Sequence, residues 1–147
     1  MLVDGETFKA AMRKDGRTIE QLADAASVST DTVRRCRKGE NVMPRSLGFV
    51  SYALGKDPKE FAVNEGYNEG YKSKNALDSF EVELAMARAM LTVEDIRYEM
   101  GVKRGLVQGI IRGTACDPKH LPELSRILGV DAKTLIFDQE AAYFGRP

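Results

Sequence analysis

The sequence predicts an all-α protein made of two tandem domains of short helices. Three observations lead to this prediction: an internal repeat with a period of 74 residues, apolar side chains at helical spacing, and glycines where that spacing ends. The chain has 147 residues, which is enough for two small domains. No segment alternates apolar and polar residues over the length of a strand, so we expect no sheet.

The repeat is seen when the sequence is compared with itself at an offset of 74 residues. Positions 18–61 and 92–135 then align without a gap and share 12 of 44 residues. Shared glycines, prolines and apolar positions indicate the same turns and the same core in both copies. The identities are Thr18/Thr92, Glu20/Glu94, Val28/Val102, Val33/Val107, Gly39/Gly113, Pro44/Pro118, Leu47/Leu121, Ser51/Ser125, Leu54/Leu128, Gly55/Gly129, Asp57/Asp131 and Lys59/Lys133.

A polar stretch between the two copies carries the sequence Asn-Glu-Gly-Tyr twice. Because it lacks helical periodicity, we assign residues 67–76 to a linker. The first domain then covers residues 1–66 and the second covers residues 77–140. Each domain is expected to contain five helices.

Capping residues mark where the helices of the first copy begin and end. Thr18 opens a capping box, and Ser29 is a good N-cap for the next helix. Gly39 ends that helix, and Pro44 suits the first turn of the following one. Residues 27–29 are too few for a loop, so the sequence predicts a tight turn between the second and third helices.

The third helix of the first copy and the residues after it form a basic patch. Residues 33–45 hold five basic side chains and one acidic one, although the whole chain has no net charge. Arginine can donate two hydrogen bonds to guanine, and Asp31 can either accept from cytosine or pair with a neighbouring arginine. The positions expected to contact DNA bases are Thr30, Asp31, Arg34 and Arg35. Those expected to contact phosphates are Arg37, Lys38, Asn41 and Arg45.

Both copies carry a motif that extends over most of their length. In the first copy it reads T-I-E-Q-L-A-D-A-A-S-V-S-T-D-T-V-R-R-C-R-K-G, followed by P-R-S-L and A-L-G. In the second it reads T-V-E-D-I-R-Y-E-M-G-V-K-R-G-L-V-Q-G-I-I-R-G, followed by P-K-H-L and I-L-G. Both resemble the lambda-repressor/Cro-like (XRE) family of helix-turn-helix domains.

This resemblance implies five-helix domains, DNA recognition by the third helix, and dimers on operators with two half-sites. The first copy departs from the family pattern at two positions. Ile19 stands where many members have a DNA-contacting glutamine, and Ser27 replaces the usual turn glycine.

The second copy has a third helix of different character. Arg97 takes the small, buried position of Ala23, so its side chain must reach solvent or the helices must splay. Gly105 and Gly109 each cost ~1 kcal/mol of helix propensity relative to alanine. The side chains that could contact DNA or a partner are Lys103, Arg104, Gln108, Arg112 and Lys119. The side chains expected to mediate association are Leu106, Ile111, Phe137, Tyr143 and Phe144.

Other classes of function find little support in the sequence. Cys36 lies on the apolar face of the third helix, which indicates core packing, while Cys116 and the single histidine, His120, supply too few ligands for a zinc site. We find no catalytic triad and no phosphate-binding glycine loop, so we expect neither an enzyme nor a cofactor. Without an export signal or a long apolar run, the protein is expected in the cytoplasm and not in a membrane.

The sequence therefore predicts a bacterial or phage transcriptional regulator, a repressor or Cro-like protein that binds double-stranded DNA as a homodimer. A different class remains open, in which the helix-turn-helix scaffolds bind a protein, as in an antitoxin, antirepressor or antiactivator. The apolar third helix of the second copy favours a protein partner for that domain. In a third arrangement, both domains grip one DNA site as a pseudo-dimer within one chain.

Overall fold

The computed structural model describes residues 1–65, 77–113 and 117–136, and it is mostly helical, as the sequence predicts. The predicted linker, 67–76, lies outside these residues. The elements of the N-terminal part are β1 (Leu2–Val3), α1 (Gly5–Asp15), α2 (Ile19–Ala26), α3 (Thr30–Lys38), α4 (Pro44–Ala53), a 3-10 helix (Pro58–Glu60) and β2 (Ala62–Val63). Those that follow are α5 (Ser79–Ala89), α6 (Val93–Met100), α7 (Arg104–Ile111), a 3-10 helix (Pro118–His120), α8 (Leu121–Leu128) and α9 (Ala132–Leu135).

The chain divides into two compact units. The first comprises Met1–Glu65 and Met86–Leu91, and the second comprises Gly66–Ala85 and Thr92–Pro147. Residues 86–91, which the sequence assigns to the second domain, thus belong to the first unit. Within that unit, the Arg88 Nε atom lies 3.1 Å from the Asp57 Oδ1 atom.

The expectation that the chain has no sheet is wrong, because β1 and β2 form a short antiparallel pair. Leu2 pairs with Val63 and Val3 with Ala62. Each strand has two residues, which is too short to produce an alternating sequence pattern. The pairing joins the two ends of the first unit, and the Asp4 N–H extends it by donating to the Phe61 carbonyl at 2.7 Å.

The capping signals read from the sequence are confirmed in the first unit. Thr18 accepts from the Gln21 N–H, and the Gln21 side chain accepts from the Thr18 N–H, so the capping box is complete. Ser29 caps α3 by accepting from the Thr32 N–H at 3.1 Å. Gly39 ends α3 in the left-handed conformation. The predicted fifth helix is the three-residue 3-10 helix that begins after Asp57.

The core of the first unit is apolar and draws on every helix. The Phe8 ring packs edge-on against the Phe61 ring, with centroids 5.3 Å apart. This contact joins α1 to the segment that leads into β2. The apolar side chains of residues 1–65 that are fully buried are Phe8, Leu22, Val33, Cys36, Leu47, Val50 and Phe61. Burial of this apolar surface supplies the main free energy that holds the four α-helices together.

Residues 77–136 repeat the main elements of residues 3–62 at an offset of 74 residues. α5 and α6 have the same bounds as α1 and α2 after this offset. Leu77 bridges to Ile136 as Val3 pairs with Ala62, and the Asp78 N–H donates to the Leu135 carbonyl at 2.7 Å. The structural repeat therefore extends beyond the aligned positions 18–61 and covers residues 3–62 and 77–136.

Two sequence differences change the second unit locally. Pro122 stands where the first unit has Gly48, and a proline cannot donate the backbone hydrogen bond that a continuous helix from Pro118 needs. The chain there forms two consecutive elements, the 3-10 helix and α8, and His120 is both the last residue of the 3-10 helix and the N-cap of α8. The second difference is Arg97, for which the sequence predicts either a side chain that reaches solvent or helices that splay. Its side chain reaches solvent, and its Nε atom lies 3.0 Å from the Glu94 Oε2 atom.

The turn residues Ser27 and Gly101 occupy the left-handed conformation at equivalent places in the two copies, which leads to the first prediction. That conformation strains any residue with a Cβ atom, so Ser27→Gly should raise the free energy of unfolding by about 1 kcal/mol. Gly101→Ser should lower it by a similar amount, because open space surrounds the Cβ position and leaves backbone strain as the cause. Urea unfolding of both variants measures the two changes. Changes of the same sign would contradict the assignment.

Candidate functional site

The connection between α2 and α3 is a turn of three residues, 27–29. Ser27 adopts a left-handed conformation with φ 56° and ψ 41°. The Val28 N–H donates to the Ala23 carbonyl at 3.0 Å, which closes the end of α2. With Ser29 capping α3, the backbone direction changes sharply within the turn.

Buried side chains fix the angle at which α2 and α3 meet. Leu22 and Ala23 on α2 face Val33 and Cys36 on α3, and all four are at most 4% exposed. The small side chain of Ala23 permits a close approach of the two helices. α3 can therefore present only its other side to solvent.

A close backbone contact also holds the C-terminal end of α3 against the start of α1. A Cβ atom on Gly5 would lie 2.7 Å from the Arg37 carbonyl oxygen and 2.8 Å from the Gly39 nitrogen. Only a residue without a side chain fits there. In the second unit, the equivalent of Gly5 is Ser79, so α5 and α7 cannot make the same contact unchanged.

The exposed side of α3 carries the residues that the sequence predicts to contact bases. Asp31, Arg34 and Arg35 are exposed, and Thr30 is half-buried. The Arg35 Nε atom lies 3.1 Å from the Asp31 Oδ2 atom. Arg34 donates to the Thr30 hydroxyl at 3.2 Å and lies 3.9 Å from the Glu20 carboxylate on α2.

These ion pairs hold the arginine side chains in place but leave them able to bind another partner. All four charged side chains are about half exposed or more, and an exposed ion pair contributes only ~0–1 kcal/mol. A phosphate or a base edge can therefore replace the carboxylate partners at little cost. The pairing of Asp31 with Arg35 is one of the two roles left open for Asp31. The Glu20 contact has no signal in the sequence, since Glu20 and Arg34 are 14 positions apart.

Three of the predicted phosphate-contacting residues lie at or after the end of α3. Lys38, Asn41 and Arg45 are all exposed. The backbone of Asn41 forms a bridge with Leu2, and the Arg45 guanidinium lies 5.1 Å from the centroid of the Phe49 ring. The bridge to Leu2 thus holds the backbone of Asn41, and the Phe49 ring on α4 supports the Arg45 guanidinium.

Arg37, the fourth predicted phosphate contact, is half-buried and lines an open groove of about 630 Å³. We name this feature the α1–α2 groove. Its lining comes from α1, the start of α2 and α3, and it includes three basic residues that the sequence analysis missed. The lining residues are Lys9, Met12, Arg13, Gly16, Arg17, Thr18, Ile19 and Arg37.

The equivalent surface of the second unit has different chemistry. Lys103, at the N-cap of α7, makes no side-chain capping bond, unlike Ser29. Arg104 lies 2.8 Å from Glu94, and Lys119 lies 3.8 Å from Asp117. Gln108 is half-buried, and Arg112 is exposed just beyond α7.

Apolar side chains are exposed on two helices of the second unit. Leu106 on α7 is 38% exposed and Tyr98 on α6 is 80% exposed, while Ile111 is half-buried. The aromatic residues expected to add to this surface, Phe137, Tyr143 and Phe144, lie outside the described residues. Cys116 also lies outside them.

Within 1–65, 77–113 and 117–136, no group of three or more His, Cys, Asp or Glu side chains is arranged to hold a metal ion. None of the helices in these ranges is long and apolar enough to cross a membrane. Comparison of the chain with protein-family models, with curated proteins and with solved structures gives no match.

The buried thiol of Cys36 generates the second prediction. Burial raises its pKa to about 12, from an ordinary value of 9.0. The Cys36 thiol ionises at a lower pH in the unfolded chain than in the folded one. The stability that comes from burying the neutral thiol is therefore fully present below about pH 9 and is lost between about pH 9 and pH 12. Under reducing conditions, the free energy of unfolding should fall more steeply over that interval for the wild type than for Cys36→Ala. Parallel curves would show that Cys36 ionises alike in both states.

Proposed function

We propose that the protein is a sequence-specific DNA-binding regulator that reads double-stranded DNA with α3 of its first unit. In this proposal both units are helix-turn-helix domains, and α2, the turn and α3 form the reading element of the first. The protein acts as a repressor or Cro-like regulator in the cytoplasm of a bacterium or in a phage-infected cell.

One observation carries this proposal: α3 is locked on its apolar side and offers a cationic side to solvent. A helix fits the major groove of B-form DNA, where side chains from its exposed face reach base edges. Arg34 and Arg35 are exposed, held by weak ion pairs and able to donate bidentate hydrogen bonds to guanine. No catalytic role is included in the proposal.

The residues around α3 supply the phosphate contacts. Lys38 and Asn41 stand at its C-terminal end, and Arg45 stands in the first turn of α4. Cations there would lie along the DNA backbone at one edge of the major groove and would set the register of α3 in it. Because phosphates are the same in every sequence, these residues support affinity and not sequence choice.

The second unit has a separate role in this proposal, which is association of two chains. The observation that favours it is the exposure of Leu106 and Tyr98, together with a third helix poorer in cations. A symmetric dimer is the commonest result of such association and would place two copies of α3 on two half-sites. A protein of another kind is the alternative partner for this surface.

The third prediction concerns Arg34→Ala and Arg35→Ala. Each should cost ~1–3 kcal/mol against the sequence that the wild type selects from a random DNA pool, and each should relax the preference at one position. Arg126→Ala is a matched control, since Arg126 also lies near a helical carboxylate, Glu123, at 3.9 Å. Competition gel shifts measure the effect. Unchanged preference in both variants would refute the role of α3.

The fourth prediction separates phosphate contacts from base contacts. Lys38→Ala and Arg45→Ala should weaken binding to all DNA sequences alike and should lower the slope of log affinity against log salt by ~0.9 per lost phosphate contact. Lys59→Ala, an exposed lysine on the 3-10 helix, serves as the control. A loss restricted to the selected sequence would assign these residues to base recognition instead.

The fifth prediction tests association by the second unit. Leu106→Gln should shift sedimentation of the full chain from dimer toward monomer, because it removes apolar surface from the contact. Val63→Gln changes a residue of nearly the same exposure, 37%, in the first unit and should leave the dimer intact. If the wild type sediments as a monomer at all concentrations, the second unit does not mediate self-association.

A further inference from the structure

The α1–α2 groove concentrates positive charge on three different elements of the first unit. Lys9 and Arg13 come from α1, Arg17 from the turn before α2, and Arg37 from α3. No carboxylate is present among the groove's lining residues, all of which belong to the described part of the chain. Four cations at the walls of one groove repel each other, and an anion placed among them relieves that repulsion.

Two of these cations have carboxylate partners outside the lining. The Lys9 Nζ atom lies 3.4 Å from the Glu6 carboxylate, and the Arg17 Nε atom lies 3.3 Å from the Asp15 carboxylate. Arg13 and Arg37 make no ion pair with any residue in the described ranges. The groove thus keeps two unpaired guanidinium groups in addition to two partly neutralised cations.

We propose that the α1–α2 groove binds a chain of phosphate groups. Guanidinium groups match phosphate oxygens in bidentate geometry, and two unpaired arginines together with two further cations suit consecutive phosphates better than a single carboxylate. The volume of about 630 Å³ is far larger than one phosphate ion and accommodates an oligophosphate.

Consecutive phosphates come from two sources, a free polyphosphate compound or the backbone of DNA. Arg37 belongs to α3, so a phosphate in the groove would contact the helix that carries Arg34. A free polyphosphate would then compete with DNA for the cations of the first unit. The proposal for the groove does not require that α3 read DNA sequence.

Calorimetric titration of the full chain with inorganic triphosphate tests the first source. The wild type should bind one triphosphate, and Arg13→Gln and Arg17→Gln should each weaken binding at least ~10-fold, as expected for loss of a charge-assisted hydrogen bond. Lys14→Gln is the matched control, since Lys14 follows Arg13 on α1, is exposed and does not line the groove. Thermal melting verifies that each variant is folded.

Gel shifts with random-sequence DNA over a salt series test the second source. If triphosphate does not bind, Arg13→Gln should still lower the salt slope by ~0.9, while Lys14→Gln should not, which would assign the groove to the DNA backbone. The proposal is overturned if neither ligand distinguishes Arg13→Gln from Lys14→Gln. Such a result would not affect the sequence preference due to Arg34 and Arg35, which the competition gel shifts measure. Failure of the groove proposal can therefore be distinguished from failure of the proposed function.

Discussion

The three-residue turn between α2 and α3 is the constraint on which the exposed cationic face of α3 depends. The left-handed conformation of Ser27 and the hydrogen bond from the Val28 N–H to the Ala23 carbonyl end α2 abruptly. Ser29 then starts α3 without an intervening loop. Because Val33 and Cys36 must be buried against α2, the two arginines between them are left on the solvent side. A longer connection would allow α3 to rotate and would mix the two faces.

The second unit keeps this constraint and changes the residues that use it. Gly101 takes the place of Ser27 and adopts the same backbone conformation, and Val107 is buried as Val33 is. The side chains facing solvent, however, are no longer a cluster of arginines. Conservation of the internal geometry with loss of the charged face is what one expects if the two copies share a fold and differ in what they bind.

Features set by neighbouring residues could be predicted from the sequence. The capping box at Thr18, the N-cap at Ser29 and the stop at Gly39 involve residues a few positions apart, so each leaves a local pattern. The repeat added the equivalent positions in the second unit. The predicted base-contacting residues of α3 also follow from local periodicity, once Val33 and Cys36 are placed on the buried face.

Features that join distant segments could not be predicted. The two-residue strands β1 and β2 pair residues about 60 positions apart, as in the Leu2–Val63 pair, and leave no pattern of their own. The α1–α2 groove gathers cations from three elements, and nothing in the sequence indicates that Arg13 and Arg37 share one cavity. The assignment of residues 86–91 to the first unit is equally non-local, since helix periodicity alone makes α5 one continuous element.

The proposed function requires that α3 of the first unit contact DNA and that α7 of the second unit not do so. The direct test is an NMR titration of the full chain with double-stranded DNA selected from a random pool. The backbone amide chemical shifts of both helices are measured at each addition of DNA. We expect the amide signals of Thr30–Lys38 to shift first and most, while those of Arg104–Ile111 keep their positions. Larger shifts in Arg104–Ile111, or none in Thr30–Lys38, would contradict it.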